Sequence, residues 1–537
     1  MQKGLVALAL ALTFFILAPT AHAQGWDTVK KPRFGLEYKV PRDYQTIPPS
    51  PLEKYIVLIY QEEWDEDRKP QRELLPRIEV IQLDHSEGVA SPKTGGEDAE
   101  EEEDGDEVLV DEENGVVIVV EKPPAVNSVA TYVEHELRGW ELGQVFEQEE
   151  VDGYTYKQYE LNGEKGRRGY IYAYSNTKRT VAFVGYCHRD DLDEVKDDWD
   201  EMVKRIEIEE PDLEKWEKER QKHVRFYERK KKFLDPEFRI NTRMDLADGW
   251  EADDTENYIL VFSTKDQPLI RLIKKELEAM RKEYERLFPP LAPVTAVSRV
   301  RICKDEAEYR SYGGPPGSGG YWNSAEEELV FFDYENVEGQ AGTGKANSRI
   351  VLYHEAFHQY IYYSAGSFAP HSWFNEGTGD YFSGAKLRGS KVTKIDINPW
   401  RIETIQYMIE SRRYAPLDEI IEWEQYQYYG ANEYGLPGGM LYAQGWSMIY
   451  FLRESREAQK HEVWSTVLDI YFETLREEFS KGMVELEEKG MADFWPAKRE
   501  LELECRKKAV EVAFDDVDFD ELEEAWKEFV MDLKAPR

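Results

Sequence analysis

The residues best suited to chemistry lie in the segment His354-Glu355-Ala356-Phe357-His358, within the stretch 348–364. The apolar residues of this stretch recur with helical periodicity. Residues four apart share one face of a helix, with Cβ atoms about 6 Å apart, so both imidazoles can bind one zinc ion at about 2.0–2.1 Å each. Glu355 lies beside them and can reach a metal-bound water without being a ligand. The spacing therefore predicts a zinc site on a helix.

A second cluster follows in the segment WFNEGTGDYF (residues 373–382), where 17 residues separate His358 from Glu376. A catalytic zinc usually has three protein ligands and one open position, and two His with one Glu is a known set. We expect Glu376 to complete this set from a second helix. Asp380 lies one turn further on, where its carboxylate can accept the free ring N–H of a ligating histidine and fix its tautomer.

The pattern HExxH followed by NExxxD resembles the gluzincins, the thermolysin-like and aminopeptidase N-like zinc metallopeptidases. The resemblance covers roughly residues 245–533 and is closest to a poorly characterised gluzincin-like family of secreted bacterial proteins, through the segment 373–382 and the later LYAQGW (residues 441–446). It implies that Zn²⁺ is bound by His354, His358 and Glu376, that Glu355 is the general base, and that Asp380 orients a histidine.

The resemblance thus implies an enzyme that hydrolyses a peptide or protein substrate. A zinc-activated water attacks the peptide bond, and Glu355 takes its proton and passes it to the leaving amine. Tyr442, in LYAQGW, is the first choice as hydrogen-bond donor to the tetrahedral oxyanion, ahead of His371 and Tyr381. No GxMEN-like segment precedes His354. Because the Glu of that segment captures the substrate amino terminus in aminopeptidases, endopeptidase and exopeptidase action both stay open.

Two alternatives belong to other functional classes. One is a non-catalytic cell-envelope binding protein that retains a zinc site. An intact Glu355 and a three-ligand set argue against it, because structural zinc sites are usually closed by four ligands. The other is a metallohydrolase of non-peptide amides or esters, which nothing in the sequence excludes.

Other motifs carry less chemistry. The segment 339–346 (GQAGTGKA) nearly matches a P-loop, but Ala346 stands where a Mg²⁺-binding Ser or Thr is required, so we expect no nucleotide. We interpret it as a flexible loop over the zinc cleft, and the Gly-rich segment 313–320 as a turn-rich flap. The dense aromatic residues of the segment 407–442 are interpreted as core.

The amino-acid composition excludes further functional classes. The 537 residues include 108 Asp and Glu against 69 Lys and Arg, a net charge of −39 at pH 7. So acidic a surface repels phosphate backbones, and we expect no nucleic-acid partner. The length predicts two to four domains. Three widely spaced cysteines without a CxxC pair indicate buried thiols and at most one disulfide.

The first 23 residues have the pattern of a secretory signal peptide. Lys3 supplies the positive start, residues 4–18 are apolar apart from Thr13, and Ala21-His22-Ala23 fits a small-x-small cleavage site. The apolar run is shorter than the ~20 residues of a membrane span. We therefore expect an exported protein, periplasmic or extracellular, with no stable membrane span after signal removal. An uncleaved N-terminal anchor is the alternative.

Residues 24–209 are expected to form an α/β domain, in which short strands are closed by an amphipathic helix over 192–206. This pattern resembles the small sandwich domains of photosystem-accessory proteins. Within it, residues 95–114 are strongly acidic and are expected to be a disordered loop. The predicted strands are Tyr55 to Gln61, Arg77 to Leu83, Gly115 to Val120, Thr155 to Leu161, Arg168 to Ser175 and Thr180 to Cys187.

Residues 210–239 are predicted to be a charged helical linker leading to a gluzincin-like domain over residues 240–537. By resemblance, this second domain has a small sheet above the active-site helix and a C-terminal helical lobe below it, with the zinc in the cleft between them. The predicted fold class of the whole chain is α+β. A predicted strand over residues 328–334 is either an edge to which an extended peptide adds, or an interior strand.

Overall fold

Residues 25–50, 52–62, 74–85, 107–111, 116–120, 125–334, 344–489 and 494–534 are described by the computed structural model. Among these residues, strands dominate up to residue 209 and helices dominate the C-terminal part, so the fold is α+β, as predicted. The predicted signal peptide and residues 339–343 of the P-loop-like segment lie outside the described residues.

The first part of the chain is built mainly from strands. These are β1 (Trp26–Lys31), β2 (Leu36–Pro41), β3 (Tyr44–Ile47), β4 (Ile56–Glu62), β5 (Arg77–Asp84), β6 (Glu107–Asp111), β7 (Val116–Val120), β8 (Trp140–Val151), β9 (Tyr154–Gly163), β10 (Arg167–Ser175), β11 (Arg179–His188) and β12 (Glu207–Ile208). The helices are α1 (Val129–His135), α2 (Leu192–Val203) and α3 (Leu213–Arg229). Each predicted strand of this region is found, and α2 confirms the predicted amphipathic helix.

A seven-stranded antiparallel sheet forms the centre of this part, in the order β3-β4-β5-β11-β10-β9-β8. Neighbouring residues of a strand alternate between its faces. Val80 belongs to a core shared with Trp199 of α2, whereas Ile81 belongs to a second core shared with Tyr132 of α1. The sheet is therefore covered by a helix on each face.

The prediction of a disordered acidic loop over residues 95–114 is wrong for the part of that segment that the structure describes. Residues 107–111 form β6, which pairs antiparallel with β7. The sequence Glu-Val-Leu-Val-Asp places three apolar residues inside the acidic run, two of them valines with high strand propensity. The remaining residues of the predicted loop lie outside the described ranges.

Helix α3 lies in the predicted charged linker. The Asp212 side chain caps it by accepting a hydrogen bond from the Lys215 backbone N–H. Ion pairs also join the first part of the chain to the residues after α3: Arg33 to Asp245 at 2.7 Å, and Lys31 to Asp248 at 2.9 Å. Because each pair is at least partly exposed, each adds little stability.

The C-terminal part is mainly helical. Its helices are α4 (Pro236–Met244), α5 (Gln267–Leu287), α6 (Glu306–Ser311), α7 (Gly344–Ala365), α8 (Ser372–Ser383), α9 (Ile402–Glu410), α10 (Leu417–Ile420), α11 (Gln425–Tyr428), α12 (Gly438–Glu454), α13 (Val467–Lys489), α14 (Phe494–Ala513) and α15 (Phe519–Asp532). Its strands are β13 (Glu251–Asp254), β14 (Tyr258–Phe262), β15 (Ser298–Cys303), β16 (Gly320–Asn323), β17 (Glu328–Phe332), β18 (Ala385–Arg388) and β19 (Lys391–Ile395).

A five-stranded sheet in the order β13-β14-β15-β17-β16 supports the helices. The three middle strands are parallel, and both outer strands run antiparallel to their neighbours. Strand β17, predicted over residues 328–334 as an edge or an interior strand, is interior, and β16 is an edge. Leu260 of β14, Met280 of α5 and Phe357 of α7 share one core. The sheet thus positions α7, which carries the two histidines.

Helices α8 and α12 approach each other closely at Gly377 and Gly445. An ideal Cβ at Gly377 would lie 2.5 Å from the carbonyl oxygen of Gly445. Trp373 of α8 and Trp446 of α12 are fully buried in the same core. Because the contact leaves no room for a side chain, it fixes the position of α8 and of Glu376 within it.

No helix in the described ranges is both long and apolar enough to cross a bilayer. Cys187, Cys303 and Cys505 are buried, and none of the three forms a disulfide. The described part of the fold is therefore held by its cores and not by disulfides.

Candidate metal centre

The two histidines of the HExxH segment lie one turn apart on α7. Their ring centroids are 4.5 Å apart and the ring planes cross at 86°. His354, Glu355 and His358 are each no more than 9% exposed. The four-residue spacing therefore places both imidazoles on one face of a buried helix, as predicted.

Glu376 reaches both histidines from α8. Its Oε2 atom lies 3.0 Å from His354 Nε2 and 3.2 Å from His358 Nε2. The three potential ligand atoms lie within 4.8 Å of one another, and all three residues are buried. The structure thus brings together the three residues that the sequence predicts as metal ligands.

The second ring nitrogen of each histidine faces an oxygen acceptor. His354 Nδ1 lies 3.3 Å from Asp380 Oδ1, and His358 Nδ1 lies 2.9 Å from Asn375 Oδ1. An acceptor at Nδ1 holds the ring proton there and leaves the Nε2 lone pair free for a cation. Asp380 lies where the sequence predicts it. Asn375, in the same motif, was not predicted to take part.

Asp380 is itself held by two residues that the sequence did not suggest. Arg401 Nε donates to Asp380 Oδ2 at 2.7 Å, and Asn398 Nδ2 donates to the Asp380 carbonyl oxygen at 3.1 Å. Burial raises the pKa of Asp380, but the charges of Arg401 and His354 outweigh it and lower the pKa. Asp380 therefore stays ionised beside His354.

Two tyrosines border the histidine–glutamate cluster. The Tyr429 hydroxyl donates to Glu376 Oε1 at 2.5 Å, on the carboxylate oxygen that does not face the histidines. The Tyr442 ring stacks on His354 at 6.0 Å, and the Arg401 guanidinium lies 5.1 Å from the centre of the Tyr442 ring. Burial, the charge of Glu376 and a hydrogen bond to Tyr429 raise the pKa of Tyr442 well above its usual value. Its hydroxyl therefore stays protonated.

Tyr429 belongs to the aromatic-rich segment 407–442, which composition predicts as core. Tyr428 and Trp423 are indeed buried, but Tyr426 is 66% exposed and Tyr429 is 44% exposed. The signal in the sequence was a pair of adjacent tyrosines at the end of the short helix α11, of which only one can face the core: Tyr428 is the last residue of the helix and Tyr429 follows it.

Glu355 is close to the edge strand β16. An ideal Cβ at Gly320 would lie 3.1 Å from Glu355 Cγ and 2.6 Å from Val351 Cγ1. Burial raises the pKa of Glu355, and the positive charges of His354 and His358 oppose this rise. The backbone of β16 thus passes close to the Glu355 side chain, and a Cβ at position 320 would clash first with Val351.

The other two residues considered as oxyanion donors are engaged elsewhere. His371 Nδ1 lies 3.0 Å from the Tyr471 hydroxyl, and burial lowers the pKa of His371 to about 3. The Tyr381 hydroxyl donates to Glu454 Oε1 at 2.7 Å. In the described contacts, neither His371 nor Tyr381 touches a predicted metal ligand.

The donor atoms fit a zinc ion in kind and in spacing. Donors about 2.0–2.1 Å from a tetrahedral ion lie about 3.3 Å from one another. The separations of 3.0 and 3.2 Å between Glu376 Oε2 and the two Nε2 atoms are close to this value. With both imidazoles neutral, Arg401 balances Asp380, and Glu355 and Glu376 leave two negative charges. This charge suits a divalent cation.

The pKa values within the cluster show the same attraction for positive charge. Burial lowers the pKa of His354, but hydrogen bonds to Asp380 and Glu376 outweigh it and raise the pKa to about 10. Burial raises the pKa of Glu376, but the two histidines outweigh it and hold the pKa well below its usual value. The carboxylates therefore stabilise a cation at the point where the three donors meet.

No protein-family model matches this chain, and no curated protein matches it. Among solved structures, it is similar to cyanobacterial PsbP (CyanoP) from Synechocystis sp. PCC 6803, at 10% identity and a TM-score of 0.22 over 36% of this chain and 96% of that one. It is also similar to the Saccharomyces cerevisiae Ran-binding protein Mog1p, at 13% identity and a TM-score of 0.19 over 35% of this chain and 96% of that one. At such low TM-scores, neither similarity bears on fold or function.

Proposed function

We propose that this protein is an exported zinc-dependent hydrolase of peptide bonds, in which His354, His358 and Glu376 hold the zinc. The observation that carries the proposal is the convergence of both Nε2 atoms on one oxygen of Glu376. A zinc ion held there would supply Lewis-acid polarisation of the substrate carbonyl and an activated water.

Glu355 acts as the general base in this proposal. It is buried next to the histidines but is not one of the three converging ligands. Its carboxylate takes a proton from the attacking water and passes it to the leaving amine. Substitution of a positioned acid–base group costs typically 10²–10⁴-fold in rate, roughly the effect expected here.

Tyr442 supplies a hydrogen bond to the oxyanion that develops on the scissile carbonyl. Its ring stacks on His354, and its hydroxyl stays protonated because burial and the charge of Glu376 raise its pKa. Such a donor contributes more to the transition state than to the ground state, because it is aimed at charge that appears during the reaction.

The edge strand β16 supports a peptide as the substrate. Among the described residues, β16 pairs only with β17, so its other edge is free. An extended peptide can add to such an edge through main-chain hydrogen bonds. Because Gly320 of β16 lies against Glu355, a peptide on this edge would pass close to the base.

The test is hydrolysis of fluorescently labelled casein by the wild type, Glu355→Gln and Glu403→Gln, with zinc measured in each sample. Glu403 is exposed in the first turn of α9 and is the matched control. We expect Glu355→Gln to retain zinc and lose about 10²–10⁴-fold in rate, and Glu403→Gln to match the wild type.

Each alternative function gives a different result in the same assay. Turnover by Glu355→Gln at the wild-type rate would show that the proposed mechanism is wrong. Cleavage of p-nitrophenyl esters but of no peptide would identify a non-peptide hydrolase. Bound zinc without turnover of any substrate would favour the binding-protein alternative.

A further inference from the structure

A second cavity lies where the C-terminal end of α7 meets α13. Its volume is about 480 Å³, within the range of about 300–1,000 Å³ that is usual for small-molecule sites. It is lined by the loop 290–296, by residues 363–366 at the end of α7, and by α13. No residue of the candidate metal centre lines it, so it is a separate site.

The walls of this cavity are largely apolar. Phe479 and Met483 of α13 line it together with Leu291 and Val484. Leu291 is 52% exposed and Val484 is 53% exposed, although both line a concave surface. Apolar side chains left exposed in a concavity favour an apolar ligand.

One wall carries a cation, Arg476, that pairs with no carboxylate among the described residues. Arg476 is 9% exposed, and its Nε and Nη1 atoms are buried with no hydrogen-bond partner in the described chain. No described carboxylate lies within 4.0 Å of its guanidinium, which lies 5.5 Å from the centre of the Phe472 ring. Burying an unpaired charge is costly. Its place in the cavity wall is explained if a ligand supplies the anion.

We propose that this cavity binds an apolar carboxylate. The positive charge of the Arg476 guanidinium can pair with a carboxylate through a charge-assisted hydrogen bond. The apolar part of the ligand then covers Phe479, Met483, Leu291 and Val484. Two sources share this chemistry: a free hydrocarbon acid, and the terminal carboxylate of a peptide that ends in apolar residues.

The structure also offers a competing partner for Arg476. Helix α7 ends at Ala365, beside the cavity, and a helix C-terminus carries partial negative charge. If that charge were the partner, neutralising Arg476 would destabilise the ligand-free protein. If the partner is a ligand, Arg476→Met removes an unpaired buried charge and leaves the melting temperature unchanged or higher.

The test is calorimetric titration of the full-length protein with decanoate, 1-decanol and acetate. We expect one decanoate to bind per chain and no detectable binding of acetate. Decanol should bind more weakly than decanoate by roughly 10- to 100-fold, because it lacks the charge-assisted hydrogen bond. Arg476→Met should weaken decanoate by a similar factor. A leucine-ending peptide with a free or an amidated carboxyl, titrated into Glu355→Gln to prevent cleavage, tests the peptide source.

Binding of decanoate alone assigns a free acid, and binding of the free-carboxyl peptide alone assigns a chain terminus. The proposal is overturned if neither binds, if the acid and the amide of the peptide bind equally, or if Arg476→Met binds as the wild type does. A lower melting temperature of ligand-free Arg476→Met, with decanoate binding retained, would assign Arg476 to the end of α7. If that variant does not fold, the exposed substitution Val484→Asp decides: weaker decanoate binding supports the proposal, and unchanged binding overturns it.

Discussion

Arg401 Nε lies 2.7 Å from Asp380 Oδ2, on the oxygen that does not face His354, whose Nδ1 is 3.3 Å from Asp380 Oδ1. A chain of three side chains therefore leads from a cation to the first predicted ligand. The same guanidinium lies 5.1 Å from the centre of the Tyr442 ring. Arg401 thus contacts the carboxylate that orients a ligand and the tyrosine expected to donate to the oxyanion.

We expect Arg401→Met to weaken zinc binding by about 10- to 100-fold, because contacts behind a metal ligand typically contribute that much. The physical cause is loss of the positive charge that keeps Asp380 ionised and in place. Competition with a chromophoric chelator measures the affinity. Arg413→Met, at an exposed position after α9, is the matched control. Equal zinc affinity of Arg401→Met and wild type would show that Arg401 does not position the site.

Substitutions of the two tyrosines that border the histidine–glutamate cluster should have different effects on turnover and on zinc affinity. Tyr442→Phe is expected to lower kcat by about 10²–10³-fold and to leave zinc affinity unchanged, since it removes the oxyanion donor but no hydrogen bond to a predicted metal ligand. Tyr429→Phe removes the hydrogen bond to Glu376 Oε1, so zinc affinity should fall by about 10-fold or more. Steady-state kinetics and chelator competition on both variants check this. Reversed effects would exchange the two roles.

Gly377→Ala should destabilise the protein, because a Cβ there would lie 2.5 Å from the carbonyl oxygen of Gly445. Separating α8 from α12 to relieve this clash is expected to cost about 1–3 kcal/mol of unfolding free energy. Urea unfolding of metal-free protein measures it. Gly439→Ala, in the first turn of α12 with no atom within 4 Å of the added Cβ, is the control. Equal stability of the two variants would show that α8 and α12 are not fixed at Gly377.

The sequence predicted the ligands because their spacing is local. His354 and His358 need only a helix to meet, and Glu376 with Asp380 needs only a second one. Arg401, Asn398 and Tyr429 reach the site through the hairpin of β18 and β19 and through the loops after it. Their positions depend on tertiary packing, which leaves no fixed interval in the sequence.

Prediction of the strands was limited in the same way, because tertiary pairing leaves little trace in the sequence. Strands β10 and β11 were predicted because both faces bury Val, Ile and aromatic residues. Strand β8 was missed because it is an edge strand whose residues are mostly exposed and include four glutamates, so it has no regular apolar alternation. For β17, the apolar pattern predicted a strand, but only the pairing with β15 and β16 shows that it is interior.

We expect the free energy of unfolding to decrease at acidic pH because of His371. Burial lowers its folded-state pKa to about 3, from an ordinary value of 6.5. Between these pH values the unfolded chain binds a proton that the folded chain does not. Unfolding free energy is therefore lost as pH falls from about 6.5 towards 3, by at most about 1.4 kcal/mol per pH unit.

Urea unfolding of chelator-treated protein at pH 7, 5.5 and 4.5 measures this loss. His371→Gln cannot be protonated, so its stability should fall less over the same range. The exposed substitution His135→Gln is the control and should follow the wild type. An identical acid slope in His371→Gln and wild type would contradict the assignment.

The most direct test of the candidate metal centre is the zinc content of the purified protein and of His358→Ala, measured by elemental mass spectrometry. Three ligands that meet at one point predict about one zinc per chain in the wild type. The variant loses one of the three and should retain almost none after dialysis against a weak chelator. A wild type without zinc, or a variant that holds as much zinc as the wild type, would contradict the central claim.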